Sequence, residues 1–212
     1  FIESTDTLYL LSESGDASLA APVITALVST IERRAKAHAT KYRTGRLPKP
    51  LTLVLDEVAN IAPIPGLPAL VTDGGDRGII VWSFHQDPKD AETRWGKAGG
   101  NKILKSSNIL MVLGGIKDDD YLESLSKLCA EKEAERIGTT ESVNGMSTST
   151  STIKERVMTA GAIRQLEPGK GMLFYRELPV AIVDLPGWWE EDDKAAIEEG
   201  QNWAFEQEGI AA

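Results

Sequence analysis

The segment Leu51-Thr52-Leu53-Val54-Leu55-Asp56-Glu57 constrains this 212-residue chain more than any other. A near-continuous apolar run that short is the pattern of a parallel strand buried on both faces, not of an alternating strand with one wet side. Ile79-Ile80-Val81-Trp82 has the same character, and Ile109–Leu113 is a third such run. Between them, Pro63, Pro65, Gly66 and Pro68 predict a stiff loop, Leu67–Asp73 a short helix, and 88–107 a polar helical region. Asp118 is placed to cap a helix running through Leu122, Leu125 and Leu128. Strands that alternate with helices imply βαβ units, so the expected fold is α/β: a three-layer αβα arrangement around a mostly parallel sheet.

The flanks read less sharply. Leu8–Leu11 predicts a short strand ending in the turn Ser12-Glu13-Ser14-Gly15. Asp16 or Ser18 would cap the next helix, whose apolar face is Leu19, Val23, Ile24, Leu27, Val28 and Ile31, with Pro22 tolerated in the first turn. The Ser/Thr-rich stretch at about 144–152 is expected to be a mobile loop. Thr159 caps a short helix to Leu166, and Met172–Tyr175 with Val180–Asp184 predict a hairpin at the sheet edge, around Pro179.

Composition excludes several classes. One cysteine, Cys129, allows no intramolecular disulfide, and with two histidines at no paired spacing a Cys/His zinc site is not expected. No apolar run approaches the ~18 residues of a membrane helix. The chain opens on Phe1-Ile2-Glu3 and reads as a fragment of something larger. The net charge of −9 is segregated: residues 187–212 hold eight acids against Lys194, whereas Arg33, Arg34, Lys36, Lys41, Arg43, Arg46 and Lys49 form a run without an acid. The average charge therefore does not rule out a polyanionic partner. Cations at a helix C-terminus are also favoured by the helix dipole alone, which leaves a solvated helix end as the alternative.

Asp56-Glu57 is the leading candidate for chemistry. Nucleotide hydrolysis needs a carboxylate held rigidly beside Mg²⁺, and the tip of a buried strand supplies that rigidity. Asp56 suits the metal's water shell. Glu57, one residue on, suits orientation of the attacking water. Strand-end acids that simply face water are the alternative. Gln86 follows the second strand; if the two strands are neighbours, it shares a rim with Asp56, where ligands of doubly wound sheets sit. Its amide could hydrogen-bond water and γ-phosphate, or merely loop backbone. Arg77, in Gly74-Gly75-Asp76-Arg77-Gly78, could stabilise transition-state charge in a neighbouring subunit's site, or pair with Asp73 or Asp76. His85 is given no role. No Gly-x-x-x-x-Gly-Lys-Ser/Thr occurs, so the main anchor for a triphosphate is missing from these residues.

The stretch LTLVLDEVANIAPIPGLPALVTDGGDRGIIVWSFHQ (51–86) resembles the motor core of TraG/TraD-type coupling proteins of type IV secretion. The matching features are Leu55-Asp56-Glu57, Asn60, Ile61-Ala62-Pro63-Ile64-Pro65, Arg77-Gly78 before the next strand, and Gln86 after it. Arg94-Trp95-Gly96, Leu122–Ser126, Thr159–Leu166, Pro168-Gly169, Pro179 and Trp188-Trp189 resemble the family further downstream, so the likeness spans about residues 6–189. Two positions depart from the pattern: Asp90 stands near a second glutamine of the family, and Cys129-Ala130 replaces a glycine.

The resemblance implies the C-terminal part of a RecA-like P-loop NTPase domain over 1–189, with 190–212 an acidic tail. It implies a membrane-anchored homo-hexameric ATPase at the cytoplasmic face of a bacterial inner membrane, this fragment itself being soluble and cytoplasmic. That enzyme would use ATP and Mg²⁺ to pump a relaxase–DNA or protein substrate into a conjugation channel. Asp56 and Glu57 would be its Walker B pair, with Asp56 on Mg²⁺, Gln86 its nucleotide sensor and Arg77 a finger acting across subunits. The fragment alone would be inactive for want of the phosphate cradle. Implied partners are the relaxase, channel proteins and DNA of any sequence. The rival reading is a recognition module acting through the acidic tail or the Ser/Thr-rich loop, without catalysis of its own. A weaker rival is DNA binding through Arg33–Lys49.

Overall fold

The computed structural model describes residues 2–11, 20–142 and 145–208. Its contacts divide the chain into two compact units, Phe1–Asn108 and Ile109–Ala212.

The first unit is built on one βαβ crossover. Helix α1 (Ala20–Ala39) is followed by strand β1 (Leu51–Leu55), a single turn α2 (Val58–Ile61), helix α3 (Leu67–Arg77), strand β2 (Ile79–Ser83) and helix α4 (Pro88–Ser106). β1 and β2 pair in parallel, with Leu51 opposite Ile79 and Leu55 opposite Ser83. Leu51, Leu53, Leu55, Ile79 and Val81 point to one face, where α1, α3 and α4 meet them through Ile24, Val28, Ala35, Ala39, Leu67, Leu70, Ala91 and Ile103. Non-local packing of this kind holds a parallel pair whose connection must be a crossover.

Four expectations need correction here. β1 does not bury both faces: the register turns Thr52, Val54, Ile80 and Trp82 to the side opposite the described helices of this unit, and Val54 is 68% and Trp82 51% exposed. The α1 face that is buried is Ile24, Val28, Ala35 and Ala39, because small alanines let the helix end approach β1; Val23 and Leu27 stay exposed. Leu8–Leu11 is no strand, since nothing pairs with it, and Tyr9 and Leu11 are exposed. α3 runs on past Asp73 to Arg77, because Gly74 lets the helix close to 3.1 Å of Leu70 and 3.2 Å of the Ile79 carbonyl, measured from where a Cβ would stand. The caps expected at Asp16 or Ser18 lie outside the described residues.

In the second unit, β3 (Ile109–Leu113) is followed by α5 (Asp119–Leu128), the long strands β4 (Glu131–Ser142) and β5 (Gly145–Arg156), α6 (Ala160–Arg164), β6 (Lys170–Tyr175) and β7 (Ala181–Asp184). A three-stranded antiparallel sheet has the order β3-β6-β7, so the hairpin expected at a sheet edge is β6–β7. Asp118 caps α5 through the Tyr121 amide (3.1 Å), and Thr159 caps α6 through the Ala162 amide (3.2 Å). Val112, Met172, Leu122, Leu125, Cys129 and Ile163 form this unit's core. Buried Ser126 donates to the Met158 carbonyl at 2.7 Å and accepts from Arg156, whose guanidinium also holds Glu123 at 2.6 Å. That guanidinium keeps the Glu123 carboxyl below its usual range.

The Ser/Thr-rich stretch is not a loop. Gly145–Arg156 pairs residue for residue with Glu131–Ser142 as a two-stranded antiparallel ribbon. A run of threonine suits extended backbone as readily as it suits a loop, and a strand partner of equal length decides between them. After β7 come a 3₁₀ turn, Trp188–Glu190, where the two indoles meet edge-on at 5.9 Å, and the acidic helix α7 (Lys194–Glu208).

Candidate functional site

The β1–β2 register decides which candidate residues share a place. The Phe84 amide donates to the Leu55 carbonyl at 2.9 Å, extending the parallel ladder by one rung beyond the strands. Asp56 leaves that rung on one side and Gln86 two residues later on the other, so the carboxylate and the amide stand on the same rim, at the carboxyl ends of both strands. Asp56 is exposed and borders a cavity of about 780 Å³ between β1, α1 and residues 2–11. The Gln86 amide has no hydrogen-bond partner among the described residues, so it is not spent on loop backbone.

Glu57 turns the corner. Its backbone is left-handed, φ 43° and ψ 40°, and its carbonyl accepts from the Asn60 and Ile61 amides as the N-cap of α2. A left-handed conformation is costly for a residue with a Cβ. The Asp56 carboxylate offsets part of that cost by accepting from the Glu57 amide at 3.1 Å. The Glu57 backbone is thereby fixed at the point where the strand ends, with its side chain half-buried.

Sequence reading missed the braces behind this corner. Arg94 donates through Nε to the Ala59 carbonyl at 2.8 Å, and Trp95 through Nε1 to the buried Ile64 carbonyl, also at 2.8 Å. Both lie just before Gly96, where α4 breaks at φ 71° and ψ 166°. The motif Arg94-Trp95-Gly96 was the available signal; that it serves the Pro-rich segment after Glu57 is visible only in three dimensions. His85 packs edge-on to Trp95 at 6.4 Å, and neither ring nitrogen has a partner. Burial pushes its pKa down, against a smaller upward pull from Asp90.

Arg77 is not on this rim. It ends α3, before the amino end of β2, so the length of the strand pair, about 16 Å at ~3.3 Å per residue, separates it from Asp56 and Gln86. Its guanidinium is exposed and makes no ion pair among the described residues; Asp73 is held instead by Lys36 at 3.3 Å, and Asp76 pairs with nothing there. Its backbone, by contrast, is pinned. The Arg77 carbonyl accepts from the Leu47 amide at 3.0 Å, and the Gly75 carbonyl accepts from Arg46 Nη1 at 2.5 Å. Gly78 caps the helix at φ 78°, its amide bonded to the Gly74 and Gly75 carbonyls.

No cluster of three or more His, Cys, Asp or Glu suited to a metal exists among the described residues. No helix there is long and apolar enough to cross a membrane.

These elements define an α/β unit of the coupling-protein fold. The bacterial conjugative coupling protein TrwBdeltaN70, in its unbound monoclinic form, matches with a TM-score of 0.59 and 22% identity over 79% of this chain. The plasmid coupling protein TrwB in complex with the non-hydrolysable ATP analogue ADPNP, and in complex with ADP and Mg²⁺, matches with a TM-score of 0.57, the same identity and the same coverage. The chain spans 38% of the length of each of these structures. No curated protein sequence matches it. The family model described as the TraM recognition site of TraD and TraG matches residues 50–168, more than half of the chain, and the chain belongs to that family of conjugative coupling proteins.

Proposed function

We propose that this chain is the C-terminal part of an ATP-driven coupling protein that recruits a relaxase–DNA or protein substrate and drives it into a type IV secretion channel. Residues 1–189 would be the end of its RecA-like domain and 190–212 an acidic appendage. The observation that carries the reading is the shared rim. A parallel register brings Asp56, Glu57 and a Gln86 amide unengaged among the described residues to the carboxyl ends of adjacent strands, where ligands of such sheets bind; of the three, Asp56 borders the cavity beside β1.

The residues present suit a nucleotide with Mg²⁺. Mg²⁺ retains waters and asks for one or two carboxylates plus phosphate oxygens, not a protein cage, and exposed Asp56 supplies one carboxylate. When bound, the ion neutralises phosphate charge. Glu57, fixed by its strained backbone, orients and polarises the attacking water. Gln86 hydrogen-bonds water or phosphate from the neighbouring strand and distinguishes the nucleotide states. The phosphate cradle comes from a part of the protein outside these residues, since no P-loop motif occurs in them. Arg77, at the opposite end of the strand pair, serves a neighbouring subunit's nucleotide in a homo-hexamer held at the cytoplasmic face of the membrane. DNA would be contacted through phosphates, without sequence preference.

The test is Glu57→Gln in the full-length protein. Turnover should be abolished while ATP remains bound; an unchanged rate removes Glu57 from the mechanism. This chain alone should bind Mg-ATP weakly or not at all, and micromolar binding would contradict a phosphate cradle supplied from elsewhere.

A second reading, recognition of a partner through the tail, is supported by α7 itself. It is solvent-exposed along nearly its whole length, and Trp203 (64%) and Phe205 (44%) stand open among its acids. Pull-down of relaxosome proteins with and without residues 190–212 separates the two, because ATPase assembly does not require that helix.

A further inference from the structure

We infer that Arg46 is a positioning residue for Arg77: it holds the end of α3 so that the backbone from which the Arg77 side chain springs stands in one fixed place. The inference rests on the reading of Arg77 as a trans-acting finger.

The α1–β1 connection grips the last turn of α3 at two points, and the first residue of β1 adds a third bond just beyond it. Arg46 Nη1 donates to the Gly75 carbonyl at 2.5 Å, the Leu47 amide to the Arg77 carbonyl at 3.0 Å, and the Leu51 amide to the Gly78 carbonyl at 2.9 Å. Helix C-termini leave their last carbonyls unpaired. Here the cap amide of Gly78 takes two of them, and the connection adds the rest of the grip. Gly78 leaves no slack: a Cβ on it would stand 3.1 Å from Arg46 Cγ and from both the amide nitrogen and the carbonyl oxygen of Leu47. Leu47 is itself fixed, 3% exposed against Ala35, Ala39, Leu70 and Ile79.

The two arginines are therefore used oppositely. Arg46 spends its guanidinium on backbone, although it is an exposed residue and water could solvate the same carbonyl. Arg77 has its backbone gripped and its guanidinium free of any carboxylate among the described residues: Asp73, one turn back, is held by Lys36, and neighbouring Asp76 makes no ion pair with it there. A fixed backbone spares the ordering cost of the helix end when the head meets a phosphate, and an unengaged head has no ion pair to break first. A charge-assisted bond to a carbonyl at the helix end, two residues from Arg77, fixes where the Arg77 Cα stands and so the volume its head can sweep.

The experiment uses the full-length hexameric protein and compares Arg77→Ala, Arg46→Ala, Arg46→Lys and the double variant Arg46→Ala/Arg77→Ala in ATP hydrolysis. Arg46→Ala should lower kcat about 10- to 100-fold, the range expected for a misplaced reacting group, with KM for ATP changed little. Arg46→Lys, which can still donate to the Gly75 carbonyl, should recover most of that loss. The double variant should be no slower than Arg77→Ala alone. If Arg77→Ala is slow but Arg46→Ala keeps wild-type kcat, the inference fails and the finger stands. A double variant slower than Arg77→Ala by the full Arg46→Ala factor also overturns it, because Arg46 would then act independently. If Arg77→Ala itself turns over at the wild-type rate, the finger reading falls and the inference with it.

Discussion

The amide of Phe84 and the carbonyl of Leu55 are joined at 2.9 Å, and that bond makes neighbours of the segments that carry Asp56 and Gln86. It joins the last residue of β1 to the residue just past β2, where a parallel ladder would otherwise open. Its geometry brings the two segments out together at the carboxyl edge, and a slip of one residue would turn each side chain to the other face.

Glu57 occupies left-handed backbone that glycine adopts freely. Glu57→Gly should leave stability unchanged or raise it by up to ~1 kcal/mol, the conformational relief slightly exceeding the glycine entropy term. Urea denaturation reads this directly. A loss above ~1 kcal/mol would mean that the side chain, not the backbone, governs this corner.

The two glycines at the end of α3 should respond with opposite signs. Gly75 has nothing within 4 Å of a would-be Cβ and lies inside the helix, so Gly75→Ala should stabilise by ~0.5–1 kcal/mol. Gly78→Ala meets both positive φ and the Leu47 backbone at 3.1 Å, and should destabilise by at least ~1–2 kcal/mol. Equal effects in chemical denaturation would contradict the clamp.

Trp95→Phe keeps most of the ring volume and removes only the donor to the Ile64 carbonyl. The Ile64 oxygen would keep only the Leu67 amide at 3.1 Å, so the loss is that of one ordinary hydrogen bond, ~0.5–1.5 kcal/mol. Arg94→Ala frees the Ala59 carbonyl nearby, and the two losses should be less than additive, since both loosen one segment.

His85 gives the first unit a pH dependence. Burial lowers its folded pKa, so below the ordinary histidine value of ~6.5 the unfolded chain binds a proton that the folded chain refuses. Stability should fall as pH drops from ~7 towards 5, and His85→Phe should flatten that slope. At more acid pH the Glu123–Arg156 pair adds a second fall, because a carboxyl held below its usual range loses its advantage once protonated. Thermal melts across pH 4–8 on the two proteins distinguish these contributions; a slope unchanged by His85→Phe would assign the loss elsewhere.

Much of the chain could be read from pattern alone. Apolar runs located β1, β2 and β3, and cap residues located α5 and α6, because burial and capping leave local signatures. The rim was foreseeable only conditionally, since adjacency of two strands is a non-local fact. Residues 145–156 misled because serine and threonine bond water and ladder equally well, and what decides is a partner twelve residues long. Val54 and Trp82 misled differently: their apolarity suggests a covered face, yet among the described residues both stand exposed. The placement of Arg77 before β2, at the end away from Gln86, was legible; the work of Arg46, Arg94 and Trp95 on backbone carbonyls left no sequence trace beyond the residue types.

That bare side of the β1–β2 pair has a practical outcome at the bench. Val54, Ile80 and Trp82, joined by Phe84, form a sticky tile, and a concentrated solution of the purified polypeptide should self-associate or scatter light well before a polar mutant such as Val54→Lys does. The indole in the middle of the tile doubles as a built-in dye: its emission should shift to the blue when anything, another molecule of the same kind included, settles over it.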